Sequence, residues 1–117
     1  MLLVDTAGSG LATFAGYARE RGIRCVGSCS TTDDMLFECE RLRPNIVVVD
    51  LGVMGSLNPL TAIQRLRRTH VETMVIATAP PSESQQLMEA MTMGAADFVM
   101  KPYRRRTIIE CLERLLG

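Results

Sequence analysis

Four side chains in this 117-residue sequence have chemistry that would combine if the fold brought them to one place. Asp5 and Asp50 are carboxylates, and each ends a short apolar run: Leu2-Leu3-Val4 before the first, Ile46-Val47-Val48-Val49 before the second. Thr78 ends a third such run, Val75-Ile76-Ala77, and Lys101 a fourth, Phe98-Val99-Met100. Carboxylates hold hard divalent cations, an ammonium neutralises phosphoryl oxygens as a point charge, and a carboxylate is also a competent phosphoryl nucleophile. A threonine hydroxyl adds a hydrogen bond to a charged oxygen. Lys101 stands out on composition alone: of 13 cationic residues it is the only lysine, and the rest are arginine.

The elements that must position these groups are legible from periodicity. Short β-branched runs alternate with longer amphipathic stretches, the pattern of a parallel sheet covered on both faces. Residues 1–4 read as a first strand. A helix over about 9–21 follows, with Leu11, Phe14, Ala15 and Ala18 on one face and Gly22 closing it. Residues 23–27 read as a second strand, and the next helix, about 32–42, is ended by Pro44. The run 46–49 is apolar at every position, which predicts a strand buried on both faces in mid-sheet. Asn58 and Pro59 supply an N-cap and an N1 proline for a third helix, to about residue 69. Strand signals return at 73–77 and 96–100. A helix opening at Pro80-Pro81-Ser82 and ending at Gly94 separates them, and a last helix spans about 104–116.

Five βα units with short right-handed crossovers predict one domain over residues 1–117. Its fold would be a doubly wound α/β sheet of five parallel strands, order 2-1-3-4-5, with helices on both faces, flavodoxin-like. In such sheets ligands collect outside the carboxyl ends of the strands at the switch in winding direction. Asp5 with Thr6, Asp50, Thr78 with Ala79, and Lys101 before Pro102 would then converge on one edge.

Composition bounds the partners. A formal net charge of +0 argues against direct nucleic-acid binding, which runs on clustered positive charge. The chain is 47% hydrophobic, which excludes disorder, yet its apolar runs are strand-sized, so no membrane span is expected. The opening Met1-Leu2-Leu3-Val4-Asp5 has no secretory character, and a cytoplasmic address is the expectation. Cys25, Cys29, Cys39 and Cys111 form no C-x-x-C pair and His70 is the only histidine. Reduced, mostly buried thiols are expected rather than a zinc site. The eight methionines read as gap-filling core, and Arg104-Arg105-Arg106 as a solvated first turn near a surface suited to partners.

The chain resembles, along essentially its whole length, the receiver domains of two-component response regulators of the chemotaxis-regulator kind. The resemblance rests on Val4-Asp5, on Pro44-Asn45 through Asp50-Leu51, on Val75-Ile76-Ala77-Thr78-Ala79, and above all on Gly94-Ala95-Ala96-Asp97-Phe98-Val99-Met100-Lys101-Pro102-Tyr103. It implies a non-enzymatic phosphorelay receiver in which Asp50 takes a phosphoryl group from a histidine kinase or phosphotransfer protein. By the same resemblance Mg²⁺ is held by Asp5, Asp50 and the Gly52 carbonyl, with Thr6 a further candidate. Thr78 and Lys101 hold the phosphoryl oxygens, and Phe98 is the aromatic switch that follows Thr78. The implied readers of the switch are a downstream output domain or protein, or a second copy in a homodimer.

Four positions depart from the family pattern. Thr6 stands where a second acid is usual, so a metal-binding charge is missing and weaker Mg²⁺ binding is expected. Met54 replaces a usual proline, Ile63 falls one residue late, and Pro80 follows Ala79 where a free N–H is commoner. These departures leave two other readings. One is a degenerate receiver that works as an interaction or dimerisation module without phosphorylation. The other is a mononucleotide-binding flavodoxin-like module using the Ala7-Gly8-Ser9-Gly10 turn, although neither a P-loop nor a full G-x-G-x-x-G is present.

Overall fold

The all-apolar run before Asp50 forms the central strand β3 (Ile46–Asp50), and every residue in it is buried. Around it the computed structural model, which describes residues 1–6 and 10–117, sets β1 (Leu2–Val4), β2 (Gly27–Cys29), β4 (Met74–Ala79) and β5 (Asp97–Met100). The sheet is parallel throughout, in the order β2-β1-β3-β4-β5. The intervening helices are α1 (Leu11–Arg19), α2 (Thr32–Leu42), α3 (Pro59–Thr69), α4 (Ser84–Met93) and α5 (Arg105–Leu116).

Strand parity divides the core into two layers, because successive side chains point to opposite faces. Leu3, Ile46, Val48, Ile76 and Val99 meet Leu11, Phe14 and Ala18 of α1 and Ile108, Cys111 and Leu112 of α5. Val4, Val47, Val49, Val75 and Ala77 face the other way, onto α2, α3 and α4 through Met35, Cys39, Ile63, Leu66 and Leu87. Local chemistry fixes the helix starts. Thr31 Oγ1 caps α2 by accepting from the Asp34 N–H, and Asn58 Oδ1 caps α3 by accepting from the Thr61 N–H with Pro59 at N1.

Two elements differ from the sequence expectation. The second strand is not 23–27 but Gly27–Cys29. Ile23 packs into the α1/α5 layer, and the following segment meets the start of the first strand through Met1, whose N-terminal amine donates to the Arg24 carbonyl and whose carbonyl accepts from the Val26 N–H. An edge strand is half-solvated and needs no apolar run, so periodicity pointed to the wrong segment. The fourth strand continues through Thr78 and Ala79, whose carbonyls accept from the Leu51 and Lys101 N–H groups. Smaller offsets are that α4 opens with a 3-10 turn at Pro81–Glu83 and α5 begins at Arg105.

The cysteines follow the burial reading in part: Cys39 and Cys111 are buried, Cys29 is half-buried and Cys25 is exposed. Burial pushes the Cys29 thiol up to about 11 and the Cys39 and Cys111 thiols up to about 12. Raised thiol values favour the neutral folded form, so the associated stability is intact below the ordinary value of 9.0 and is lost as pH rises toward the folded values. With a thiol-reactive chromophore at pH 8, one fast-reacting cysteine is expected in the native protein and four after denaturation. Rapid reaction of Cys39 or Cys111 in native protein would contradict this packing.

Candidate functional site

The same parity that builds the α1/α5 layer aligns the chemical side chains. Asp5 continues Leu3, Asp50 continues Ile46 and Val48, Thr78 continues Ile76, and Lys101 continues Val99. All four therefore stand at the carboxyl edge on the side of α1 and α5. β3 and β4 pair Asp50 directly with Thr78, and the Asp5 N–H donates to the Cys29 carbonyl at the end of the β1–β2 ladder.

Asp50 is 3% exposed, and both of its carboxylate oxygens are engaged. Oδ1 accepts from the Gly52 N–H at 2.7 Å, and Oδ2 accepts from Lys101 Nζ at 2.7 Å. Glycine at 52 has a steric reason, since a Cβ there would lie 3.0 Å from Asp50 Oδ1. Thr6 is the other neighbour of that position, its methyl 3.9 Å from the same point. Lys101, whose side chain is 26% exposed, is followed by a cis peptide to Pro102. The ion pairs of the arginines are of another kind. Arg41–Glu38, Arg105–Glu20 and Arg114–Asp97 each rest on a solvated guanidinium and contribute little.

Asp5 is the unsatisfied partner. Its Oδ1 is buried with no hydrogen-bond partner among the described residues. Burial, and then the negative charge of Asp50, hold its carboxyl above the ordinary range; Lys101 and the amides of Leu11 and Thr6 pull the other way. A carboxylate crowded by another, with one buried oxygen unpartnered among the described residues, is a fit for a divalent cation, which would neutralise both. Among the described residues no third carboxylate, thiol or imidazole completes a cluster, in keeping with threonine at position 6.

The sign of the pH effect follows. With its folded value raised, Asp5 contributes stability that is fully present below the ordinary 3.8 and is lost as pH rises through the folded value. In metal-free protein this lowers the melting temperature of the wild type relative to Asp5→Asn as pH rises from acid to neutral, so the two pH slopes should differ. An unchanged slope in Asp5→Asn would mean that the carboxyl is not strained.

Thr78 is fully buried, and its Oγ1 accepts from the Tyr103 hydroxyl at 2.9 Å. Burial raises the Tyr103 phenol to about 12, so it stays a protonated donor at any ordinary pH. Phe98, the sequence's candidate switch, is half-buried on the opposite face, against the α2/α3/α4 layer and in register with Ala77. Sequence reasoning missed the role of Tyr103: its hydroxyl needs a partner only once the fold half-buries the ring, and that partner lies 25 residues away. The Ala7-Gly8-Ser9-Gly10 turn lies outside the described residues except for Gly10, which caps α1 with a left-handed φ of 83° and no side-chain bond.

A 2-1-3-4-5 parallel sheet with acids and an ammonium gathered at the switch point defines a flavodoxin-like α/β domain. Within that class the chain belongs to the response regulator receiver domain family, whose model matches residues 1–113. It is 23% identical over 115 residues to the chemotaxis protein CheY of Thermotoga maritima, covering 98% of this chain and 95% of that protein. It is 26% identical over 117 residues to the nitrogen assimilation regulatory protein NtrX of Azorhizobium caulinodans, covering 99% of this chain but only 26% of that one. Among solved structures, the receiver domain of NtrX from Brucella abortus shares the fold with a TM-score of 0.86 at 23% identity, covering 98% of this chain and 96% of that one. No helix among the described residues is long and apolar enough to cross a membrane.

Proposed function

We propose that this receiver domain accepts a phosphoryl group on Asp50 from a phosphohistidine of a partner kinase or phosphotransfer protein, and that the acyl phosphate shifts the domain to a second packing. One observation carries the reading: a buried carboxylate bonded to the chain's only lysine, beside a second buried carboxylate oxygen that has no partner among the described residues. In the transfer an Asp50 oxygen forms the new P–O bond, the N–P bond of the donor breaks, and the imidazole leaves. Such transfers require positioning and charge neutralisation more than covalent help, so the domain is a receiver and not an enzyme acting on other substrates.

Asp5, Asp50 and the Gly52 carbonyl would hold Mg²⁺, with Thr6 beside them. When bound, the cation neutralises charge on the phosphoryl oxygens. Lys101 exchanges its bond to Asp50 for one to the phosphoryl group, and Thr78 donates to another phosphoryl oxygen. Charge-assisted hydrogen bonds of about 1.5–3 kcal/mol each supply much of the roughly 5.5 kcal/mol that a near-complete population switch requires. Phe98 repacks as Thr78 moves, changing the face that an output domain, partner protein or second copy reads. The setting is cytoplasmic, where the kinase's nucleotide is found.

The test is incubation with Mg²⁺ and acetyl phosphate, followed by intact mass: a gain of one phosphoryl group is expected. The Asp5-Thr6 pair favours a second reading, in which the domain binds its partner without phosphorylation, and no gain at any Mg²⁺ concentration would select it. Thr6→Asp should restore the missing charge and tighten Mg²⁺ binding at least ten-fold, on the order of 1.4 kcal/mol, seen as a larger Mg²⁺-dependent rise in melting temperature. Equal affinities would remove position 6 from the metal shell.

A further inference from the structure

We propose, building on the phosphoryl-acceptor reading, that Tyr103 is a positioning residue that latches the hydroxyl of Thr78 in the resting packing and thereby sets how readily the domain switches. Three observations support it. The Tyr103 hydroxyl donates to Thr78 Oγ1 at 2.9 Å, and Thr78 is fully buried, so no water competes for that oxygen. The Tyr103 ring packs on the α1/α5 layer: it meets the Phe14 ring edge-on, with centroids 6.0 Å apart and planes at 86°, and Gly10 lies near its edge, where an added Cβ would sit 3.6 Å from the ring. That packing places the hydroxyl on the α1/α5 side of Thr78. Finally, Thr78 pairs in register with Asp50, so a phosphoryl group there and the phenol on the α1/α5 side draw on the same side chain.

A neutral hydrogen bond is weaker than one to a charged oxygen, so the latch does not forbid the switch; it sets the starting ratio. Its removal should move that ratio by roughly five-fold toward the phosphoryl-bound packing. Tyr103→Phe keeps the ring and its contacts and deletes only the donor.

The test is the apparent affinity for beryllofluoride with Mg²⁺, followed by fluorine NMR, in the wild type, Tyr103→Phe, Thr78→Val and the double variant. Tyr103→Phe should bind about five-fold tighter than wild type, and the gain should vanish in the Thr78→Val background. It should persist with Thr78→Ser, which keeps the hydroxyl. A gain of equal size in the wild-type and Thr78→Val backgrounds would assign Tyr103 to packing alone, and weaker or unchanged binding in Tyr103→Phe would overturn the latch. Absence of beryllofluoride binding in every protein would overturn the acceptor reading and the latch with it.

Discussion

Lys101→Ala is expected to lower stability by about 1–3 kcal/mol in metal-free protein and to disable the phosphoryl response. The ammonium is bonded at 2.7 Å to a carboxylate that is 4% exposed, so truncation strands a buried charge. Removing one partner of a fully buried pair costs about 3–5 kcal/mol; here the lysine side chain is 26% exposed, water reaches its end of the pair, and the lower range applies. Lys101→Arg should not rescue the response in full. A planar guanidinium brings a larger, fixed fork into a space that holds a point charge, so Arg is not a conservative replacement here. Chemical denaturation checks the stability, and mass gain from acetyl phosphate checks the response. Wild-type stability in Lys101→Ala would show that the pair contributes nothing, as a solvated arginine pair would.

Asp50→Asn has the larger chemical effect and the smaller structural one. The amide oxygen can still accept from the Gly52 N–H, so the loop after β3 keeps its anchor. The nucleophile is gone, and acyl phosphate formation should fall to zero rather than by a factor. Asp5 also loses the like charge that is the second cause of its raised value, so its titration should move back toward the ordinary carboxylate range in Asp50→Asn. Carboxyl carbon NMR reads that shift directly. An Asp5 titration insensitive to position 50 would mean that the two acids do not share one site.

Much of this arrangement was written into local sequence. The run 46–49 could only be a central strand, and Asn58-Pro59 could only begin a helix, because apolar continuity and capping chemistry are local signals. The four strand-end residues were legible for the same reason: once the strands are placed, parity puts Asp5, Asp50, Thr78 and Lys101 on one face. What stayed hidden depends on partners distant in sequence. β2 is recognisable only through its pairing with β1, since Gly27-Ser28-Cys29 has no strand pattern of its own. The bond from Tyr103 to Thr78 spans 25 residues, and nothing in either local segment announces it. Met54 shows the same limit. Standing where a proline is usual, it is 78% exposed, and its loop is held from outside: the Thr32 N–H donates to the Met54 carbonyl and Thr32 Oγ1 to the Leu57 carbonyl.

The departure at position 6 and the strain on Asp5 describe one physical situation. Two carboxylates and one ammonium share the edge of the sheet, and one carboxylate oxygen has no partner among the described residues. A cation would complete the charge balance, and a phosphoryl group would bring three more oxygens for the cation, Lys101 and Thr78 to hold.

The most direct measurement is to find where the phosphoryl group goes. After exposure to Mg²⁺ and acetyl phosphate, borohydride reduction converts an aspartyl phosphate to homoserine, and peptide mass mapping locates it. Homoserine at position 50 and nowhere else is the expected result; modification at another residue, or none at saturating Mg²⁺, would contradict Asp50 as the acceptor.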